Sequence, residues 1–152
     1  MLSNHCAVME KPLTLDEAMK GRLEQGKVIQ LTPVGISMLP FIRGGRDKVL
    51  VRKEKEVKVG DIVLVPYGDH LILHRVYAID GTRLTLMGDG NLKGTEEVEA
   101  SEVMGTAVQI IQPDGRGRKP RKAWLWRHTL PVRRLMLKLR RKWYKMRRQN
   151  PE

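Results

Sequence analysis

Short apolar segments, separated by residues that favour turns, make up most of the chain. Aliphatic and β-branched residues dominate the segments 27–34, 48–52, 62–65, 70–79, 82–87 and 104–112. Between them lie turn-forming sequences such as Pro-Tyr-Gly-Asp at 66–69 and the pair Asp80-Gly81. Several short strands with turn signals between them are typical of a β domain. The pattern therefore predicts a mainly β fold.

Helical spacing appears on either side of this β region. Thr14 and Glu17 fit a capping box, and the apolar residues after them predict a helix over 15–25 that ends at Gly26. A second, basic amphipathic helix is predicted from position 132 onwards, with Pro131 in its first turn. We divide the chain into an N-terminal segment (1–26), a compact β domain (27–113) and a basic tail (114–152). The apolar stripe of the tail helix consists of Val132, Leu135, Met136, Leu139, Trp143 and Met146.

One serine lies where the backbone has to turn, in the sequence Gly-Ile-Ser-Met-Leu-Pro at 35–40. Glycine permits unusual dihedral angles, and proline fixes its own φ and restricts the residue before it. Ser37 is therefore held in place by its neighbours. An isolated serine in such a context is usually only a polar turn residue, so the segments that follow decide its interpretation.

Two such segments follow, Leu-His-Arg-Val at 73–76 and Met-Gly-Asp-Gly-Asn at 87–91. Together with the serine segment, this order resembles the signal peptidase and LexA-type serine peptidase clan, over about residues 33–112. The resemblance implies a peptidase with Ser37 as nucleophile, Asp89 as third member, and His74 as the base, as in archaeal and endoplasmic-reticulum-type signal peptidases. It implies neither a cofactor nor a metal ion.

The same resemblance assigns three neighbours of the serine to oxyanion stabilisation and substrate positioning: Gly35, Met38 and Pro40. Signal peptidases commonly have a serine where this chain has Gly35, so an oxyanion hole would use backbone N–H groups, that of Ser37 first. Met38 would face the substrate, with ordinary core packing as the alternative.

The turn at Asp80-Gly81 allows a geometric prediction, because Asp-Gly is typical of two-residue hairpin loops. If these two residues form the loop, His74 lies opposite Met87. Side chains alternate between faces, so Asp89 would share the face of His74 as its diagonal neighbour, about 7–8 Å away. Ile72, Val76 and Ala78 on that face are apolar, which leaves a core histidine as the alternative. His70, on the same alternation, is a competing base.

A serine, a histidine and a carboxylate can together hydrolyse a peptide bond. A serine hydroxyl becomes a nucleophile when a base removes its proton, and imidazole, with an ordinary pKa of about 6.5, suits this role near neutral pH. A carboxylate bonded to the other ring nitrogen would fix the tautomer and stabilise the imidazolium.

Composition restricts the class of protein. A length of 152 residues suits one domain, and with only 5% aromatic residues the core should be aliphatic. The single Cys6 cannot form an internal disulfide. The N-terminal residues contain no apolar run typical of a secretion signal, and no stretch approaches the roughly 18 apolar residues that span a bilayer. We therefore expect a cytoplasmic protein.

The net charge of +12 belongs to the tail. Residues 115–151 contain 15 Lys and Arg and no acid, whereas residues 1–114 contain 14 basic and 16 acidic residues. A basic amphipathic helix with tryptophans is typical of an anchor on the inner, anionic membrane surface. Packing on the β domain or a protein partner, and binding of nucleic acid, are the alternatives. The tail residues assigned to a membrane or partner are Trp124, Trp126, Arg133, Arg134, Arg141 and Trp143.

The sequence thus predicts a serine endopeptidase that removes a leader or signal-like segment from another polypeptide. A LexA-like self-cleaving regulator is one alternative, although no Ala-Gly or Cys-Gly pair precedes Ser37. The roughly 35 residues before Ser37 are also too few for the DNA-binding domain of such repressors. A non-catalytic β module, anchored by its basic tail, is the third possibility.

Overall fold

The computed structural model describes residues 14–91 and 93–149. Cys6 and the rest of the segment 1–13 lie outside the described residues, as do residues 92 and 150–152. Within the described ranges, one antiparallel sheet has the strand order β1-β2-β7-β3-β4-β5-β6, and β8 pairs with β7. The predicted mainly β fold is confirmed. The strands are β1 (Ile29–Leu31), β2 (Lys48–Arg52), β3 (Ile62–Tyr67), β4 (His70–Asp80), β5 (Arg83–Met87), β6 (Glu96–Glu99), β7 (Gly105–Ile111) and β8 (Gly117–Arg118).

The first helix, α1 (Leu15–Glu24), forms as predicted. The Thr14 hydroxyl accepts from the Glu17 N–H, and the Glu17 carboxylate accepts from the Thr14 N–H, which satisfies two otherwise unpaired donors of the first turn. Leu23 is fully buried and attaches the helix to the core.

β3 lies at the centre of the core because its two faces contribute to different apolar clusters. Ile62 and Leu64 pack with residues of α1, β1, β2 and β7, whereas Val63 and Val65 pack with residues of β4, β5 and β6. Four successive buried positions are typical of a strand covered on both faces. The core is aliphatic, as the composition predicts.

The β4–β5 hairpin forms, but its predicted register is wrong. Asp80 pairs with Arg83, so the loop residues are 81 and 82, and an irregularity between Val76 and Ala78 shifts the pairing again. As a result, Met87 lies opposite Arg75 and not opposite His74.

Two helices follow the sheet, α2 (Trp124–His128) and α3 (Leu130–Gln149). The predicted amphipathic helix is α3, whereas α2 was not predicted. Among the helices described here, none combines the length and apolarity needed to cross a bilayer.

Candidate active site

The turn that carries Ser37 is built from local backbone constraints. Gly35 has a φ of +83°, a conformation that residues with a Cβ rarely adopt. The Gly45 N–H donates to the Pro33 carbonyl over 2.7 Å and closes the base of the turn. Ser37 is half-buried at its tip.

A cleft of about 390 Å³ is lined by both of the main predicted residues, Ser37 and His74. The remaining lining is largely aliphatic and comes from the segment 31–44, β3 and the first half of β4. Among the lining residues are Leu31, Ile42, Leu64, Leu71 and Leu73.

The three neighbours of the serine have different positions. Gly35 lines the cleft. Met38 also lines it, but its side chain is buried in the core, which agrees with the packing alternative. Pro40 is half-buried and is not among the residues that line the cleft.

His74 is oriented by a carboxylate that the sequence did not indicate. Its Nδ1 lies 2.9 Å from Oε2 of Glu96, the first residue of β6. Both side chains are largely enclosed, with 8% and 18% of their surfaces exposed. Because a carboxylate accepts a hydrogen bond, this contact favours the tautomer in which Nδ1 carries the proton and Nε2 holds the free lone pair. Within 14–91 and 93–149, no residue hydrogen-bonds to that Nε2.

Asp89 occupies a different environment, and its predicted contact with His74 is wrong. Nε of Arg75 donates to Oδ1 of Asp89 over 2.8 Å, and Nη2 donates to Oδ2 over 2.7 Å. Both side chains are completely buried. The one-residue change in register explains this pairing, because it puts Arg75, and not His74, opposite Met87.

Arg75 also fixes two other parts of the chain. Its Nη1 donates to the carbonyls of Gly60 (2.7 Å) and Arg121 (2.6 Å). A buried guanidinium with its carboxylate and two carbonyls is well satisfied, whereas either charge alone would be costly. The ion pair therefore holds the loop 88–91 against the sheet.

The loop 88–91 in turn supports the serine turn. The Gly90 N–H donates to the Ser37 carbonyl over 2.7 Å. A Cβ on Gly88 would lie 2.4 Å from that carbonyl oxygen, and a Cβ on Gly90 would lie 2.1 Å from the Ile36 oxygen. Only glycine allows the two backbones to approach so closely, which explains the glycines on either side of Asp89.

The tail holds the other side of the same loop. All four carbonyls of the loop 88–91 accept hydrogen bonds from tail side chains. The donors are Nη2 of Arg133 to the carbonyls of Gly88 (2.8 Å) and Asn91 (3.0 Å), Nε1 of Trp126 to that of Asp89 (3.1 Å), and Nη2 of Arg141 to that of Gly90 (3.1 Å).

These contacts revise the assignment of the tail residues to an external surface. Arg133 is only 1% exposed, so its assignment to a membrane or partner is wrong. Trp126 and Arg141 bind the loop 88–91 as well. Trp124, Arg134 and Trp143 are exposed.

The competing base, His70, also lines the cleft but differs in its surroundings. It is exposed at the start of β4, where its Nδ1 lies 3.0 Å from Oδ1 of Asp69. This hydrogen bond lowers the pKa of the Asp69 carboxyl group. A solvent-exposed pair does not fix the orientation of an imidazole as the enclosed His74–Glu96 pair does.

Comparison with known proteins agrees with the resemblance noted in the sequence. The family model described as Peptidase S24-like matches residues 3–108, a range that contains the serine turn, both cleft histidines, Glu96 and the loop 88–91. The tail helices lie beyond the match. No curated protein matched the chain. The chain belongs to the Peptidase S24-like family, within the LexA and signal peptidase clan.

Proposed function

We propose that this protein is a serine endopeptidase that cleaves a leader or signal-like segment of a polypeptide. The observation that carries the proposal is the enclosed His74–Glu96 pair on a cleft that Ser37 shares. Family membership supports peptidase chemistry in general; the assignment of Ser37, His74 and Glu96 to its steps is our own.

In the first step, Nε2 of His74 accepts the Ser37 proton as Oγ attacks the scissile carbonyl carbon. The carbonyl π electrons move to oxygen, and the resulting imidazolium is stabilised by Glu96 through Nδ1. Collapse of the tetrahedral intermediate expels the amine, which takes the proton from Nε2. Water then attacks the acyl carbon with His74 again as base. The bond between this carbon and Oγ of Ser37 breaks, Oγ takes the proton from Nε2, and the product leaves with a new carboxylate.

Backbone donors are available for the developing oxyanion. The N–H groups of Ser37 and Met38 donate to no other residue in the described part of the chain. A single donor aimed at the oxyanion is worth about 3–4 kcal/mol of transition-state stabilisation. This supports the role that the resemblance implies for the Ser37 N–H.

A free strand edge supports an extended polypeptide as substrate. Residues 70–74 of β4 pair with β3 on one side, and β5 pairs with β4 only from position 75 onwards. On the other side of 70–74, no described strand is paired. All five of these residues line the cleft, as expected when the edge of a strand borders it. A peptide adding to this edge would lie along aliphatic side chains, which suits the apolar part of a leader segment.

The experiment is digestion of a proteome-derived peptide library, with products identified by mass spectrometry. Wild-type protein should generate new termini, and Ser37→Ala should generate none while retaining the wild-type circular dichroism spectrum. Intact-mass measurement of the stored protein is the companion experiment. If the wild-type protein cleaves only its own chain, the LexA-like regulator is favoured. If it cleaves neither the library nor its own chain, the non-catalytic module is favoured.

A further inference from the structure

The helix α3 has two distinct faces. One face binds the β domain through Arg133, Leu137 and Arg141, which follow one another at intervals of four residues. Leu137 is 3% exposed, and the two arginines hold the loop 88–91. This face accounts for the position of the helix on the domain.

The opposite face carries the apolar stripe of α3, and nothing in the described part of the protein covers it. The six side chains occupy a stripe about 100° wide on the helix surface. Each is between 50% and 59% exposed: Val132, Leu135, Met136, Leu139, Trp143 and Met146. In the preceding helix α2, Trp124 and Leu125 are also exposed, at 62% and 65%. The helix α3 thus docks through Arg133, Leu137 and Arg141 and leaves its apolar stripe exposed.

Cations border this stripe on both sides. Arg140 and Arg147 lie along one edge, and Lys138 and Lys142 lie along the other, all of them exposed. The guanidinium of Arg147 lies 4.5 Å from the centre of the Trp143 ring. Residues 115–151 contain no acid that could neutralise this surface. An apolar stripe between two rows of cations matches the boundary between acyl chains and anionic headgroups.

We propose that α2 and α3 bind an anionic lipid bilayer, with the apolar stripe of α3 inserted between the headgroups and the flanking Lys and Arg on the phosphates. A second copy of the chain fits less well, because like-charged rows would meet without an acid to pair them. Nucleic acid would use the cations but gain little from six exposed apolar side chains. This inference does not depend on the catalytic proposal.

The same helix would then fix the active-site cleft relative to the membrane. Its inner face holds the loop 88–91, and that loop supports the Ser37 turn. A bilayer bound on the outer face would leave these contacts in place.

The experiment is co-sedimentation of the full chain with vesicles of phosphatidylcholine alone and of phosphatidylcholine mixed with phosphatidylglycerol. The test variant is Leu135→Glu/Leu139→Glu, which changes two residues of the stripe. The matched control is Leu15→Glu/Val28→Glu, which makes the same change in charge at exposed apolar residues outside the tail. Thermal unfolding shows that each variant is folded.

Wild type and control should bind the anionic vesicles, bind phosphatidylcholine alone far more weakly, and lose binding at high salt. The test variant should bind the anionic vesicles about tenfold less tightly or worse. Equal binding of all three proteins would overturn the proposal. A second contradicting result would be a wild-type protein that binds no vesicles but forms a dimer in light scattering, with the dimer lost in the test variant. A third would be a wild-type protein that binds a DNA duplex more tightly than vesicles, with this binding retained in the test variant.

Discussion

Two carboxylates, Asp89 and Glu96, have different tasks because their partners differ. Asp89 is completely buried and shares both oxygens with the Arg75 guanidinium, so it neutralises a charge inside the core. Glu96 is partly exposed and contacts Nδ1 of His74. The first carboxylate stabilises the fold, and the second selects the tautomer of the proposed base.

Removing each charge should therefore change a different property. Asp89→Asn should lower the free energy of unfolding by about 3–5 kcal/mol, because it leaves the Arg75 guanidinium buried without its counter-charge. Glu96→Gln should leave stability within about 1 kcal/mol of wild type but slow acylation of Ser37 by roughly 10²–10⁴-fold. Urea unfolding and the rate of labelling by a fluorophosphonate probe measure the two effects. Glu96→Asp, which retains a carboxylate, should recover part of the rate. An exchange of the two phenotypes would refute this division of roles.

At the level of single residues, the sequence indicated two residues that line one cleft, Ser37 and His74, but not the carboxylate that contacts His74. Ser37 is constrained by its own neighbours, and His74 lies on the same cleft as expected. The partner of His74 depends on the register of the β4–β5 hairpin. That register shifts at Tyr77, between Val76 and Ala78, and nothing in the sequence pattern indicates this shift. Glu96 lies outside the motifs, and its segment, Glu-Glu-Val-Glu, resembles a solvated charged loop.

At the level of elements, the loop 88–91 is enclosed between the serine turn and α3. The Gly90 N–H and the Cα atoms of Gly88 and Gly90 face the turn, and the carbonyls of the loop accept hydrogen bonds from the tail. The position of Ser37 consequently depends on how closely the loop 88–91 can approach the serine turn.

A methyl group inside this contact should displace the turn. Gly90→Ala would put a Cβ 2.1 Å from the Ile36 oxygen, which is backbone and cannot rotate away. We expect a loss of about 1–3 kcal/mol in stability, together with slower labelling of Ser37. Gly21→Ala is the matched control, because nothing lies within 4 Å of its added Cβ in α1. The control should gain about 0.5–1 kcal/mol, since alanine favours a helix over glycine. Wild-type labelling and stability in Gly90→Ala would contradict the close approach.

Among the elements, those with strong local patterns were predictable. The capping box specified α1, and runs of aliphatic residues specified β2, β3, β4, β5 and β7. β6 was missed because its sequence, Glu-Glu-Val-Glu, gives only one apolar side chain to the core. α2 was missed because it has five residues and follows Ala123, whose φ is +51°. Its position depends on tertiary contacts such as the Trp126 hydrogen bond.

At the level of the whole molecule, the basic tail is partly an internal component of the β domain. The buried Arg133 donates to the Tyr77 hydroxyl as well as to the loop 88–91. Burial, and secondarily the negative charge of Asp89, raises the pKa of Tyr77 to about 12. The tail thus covers a phenol that stays protonated well above its ordinary range.

This pKa shift makes stability depend on alkaline pH. Between about pH 10 and 12, the unfolded chain loses the Tyr77 proton while the folded chain keeps it, so stability should fall as pH rises. Because Tyr77 is only partly buried, we expect a loss of roughly 1–2 kcal/mol across that window. Urea unfolding of wild type and Tyr77→Phe between pH 9 and 12 measures it. The variant should lose less stability than wild type over this range, and parallel curves would contradict the assignment.

The central claim is that Ser37 is a nucleophile activated by His74. Its most direct measurement is incubation of the full chain with a fluorophosphonate probe, followed by mass-spectrometric mapping of the modified residue. We predict a single adduct on Ser37, formed rapidly by wild type, greatly slowed in His74→Gln, and absent from Ser37→Ala. An adduct at another residue, no adduct in the folded wild-type protein, or equal rates in wild type and His74→Gln would contradict the account.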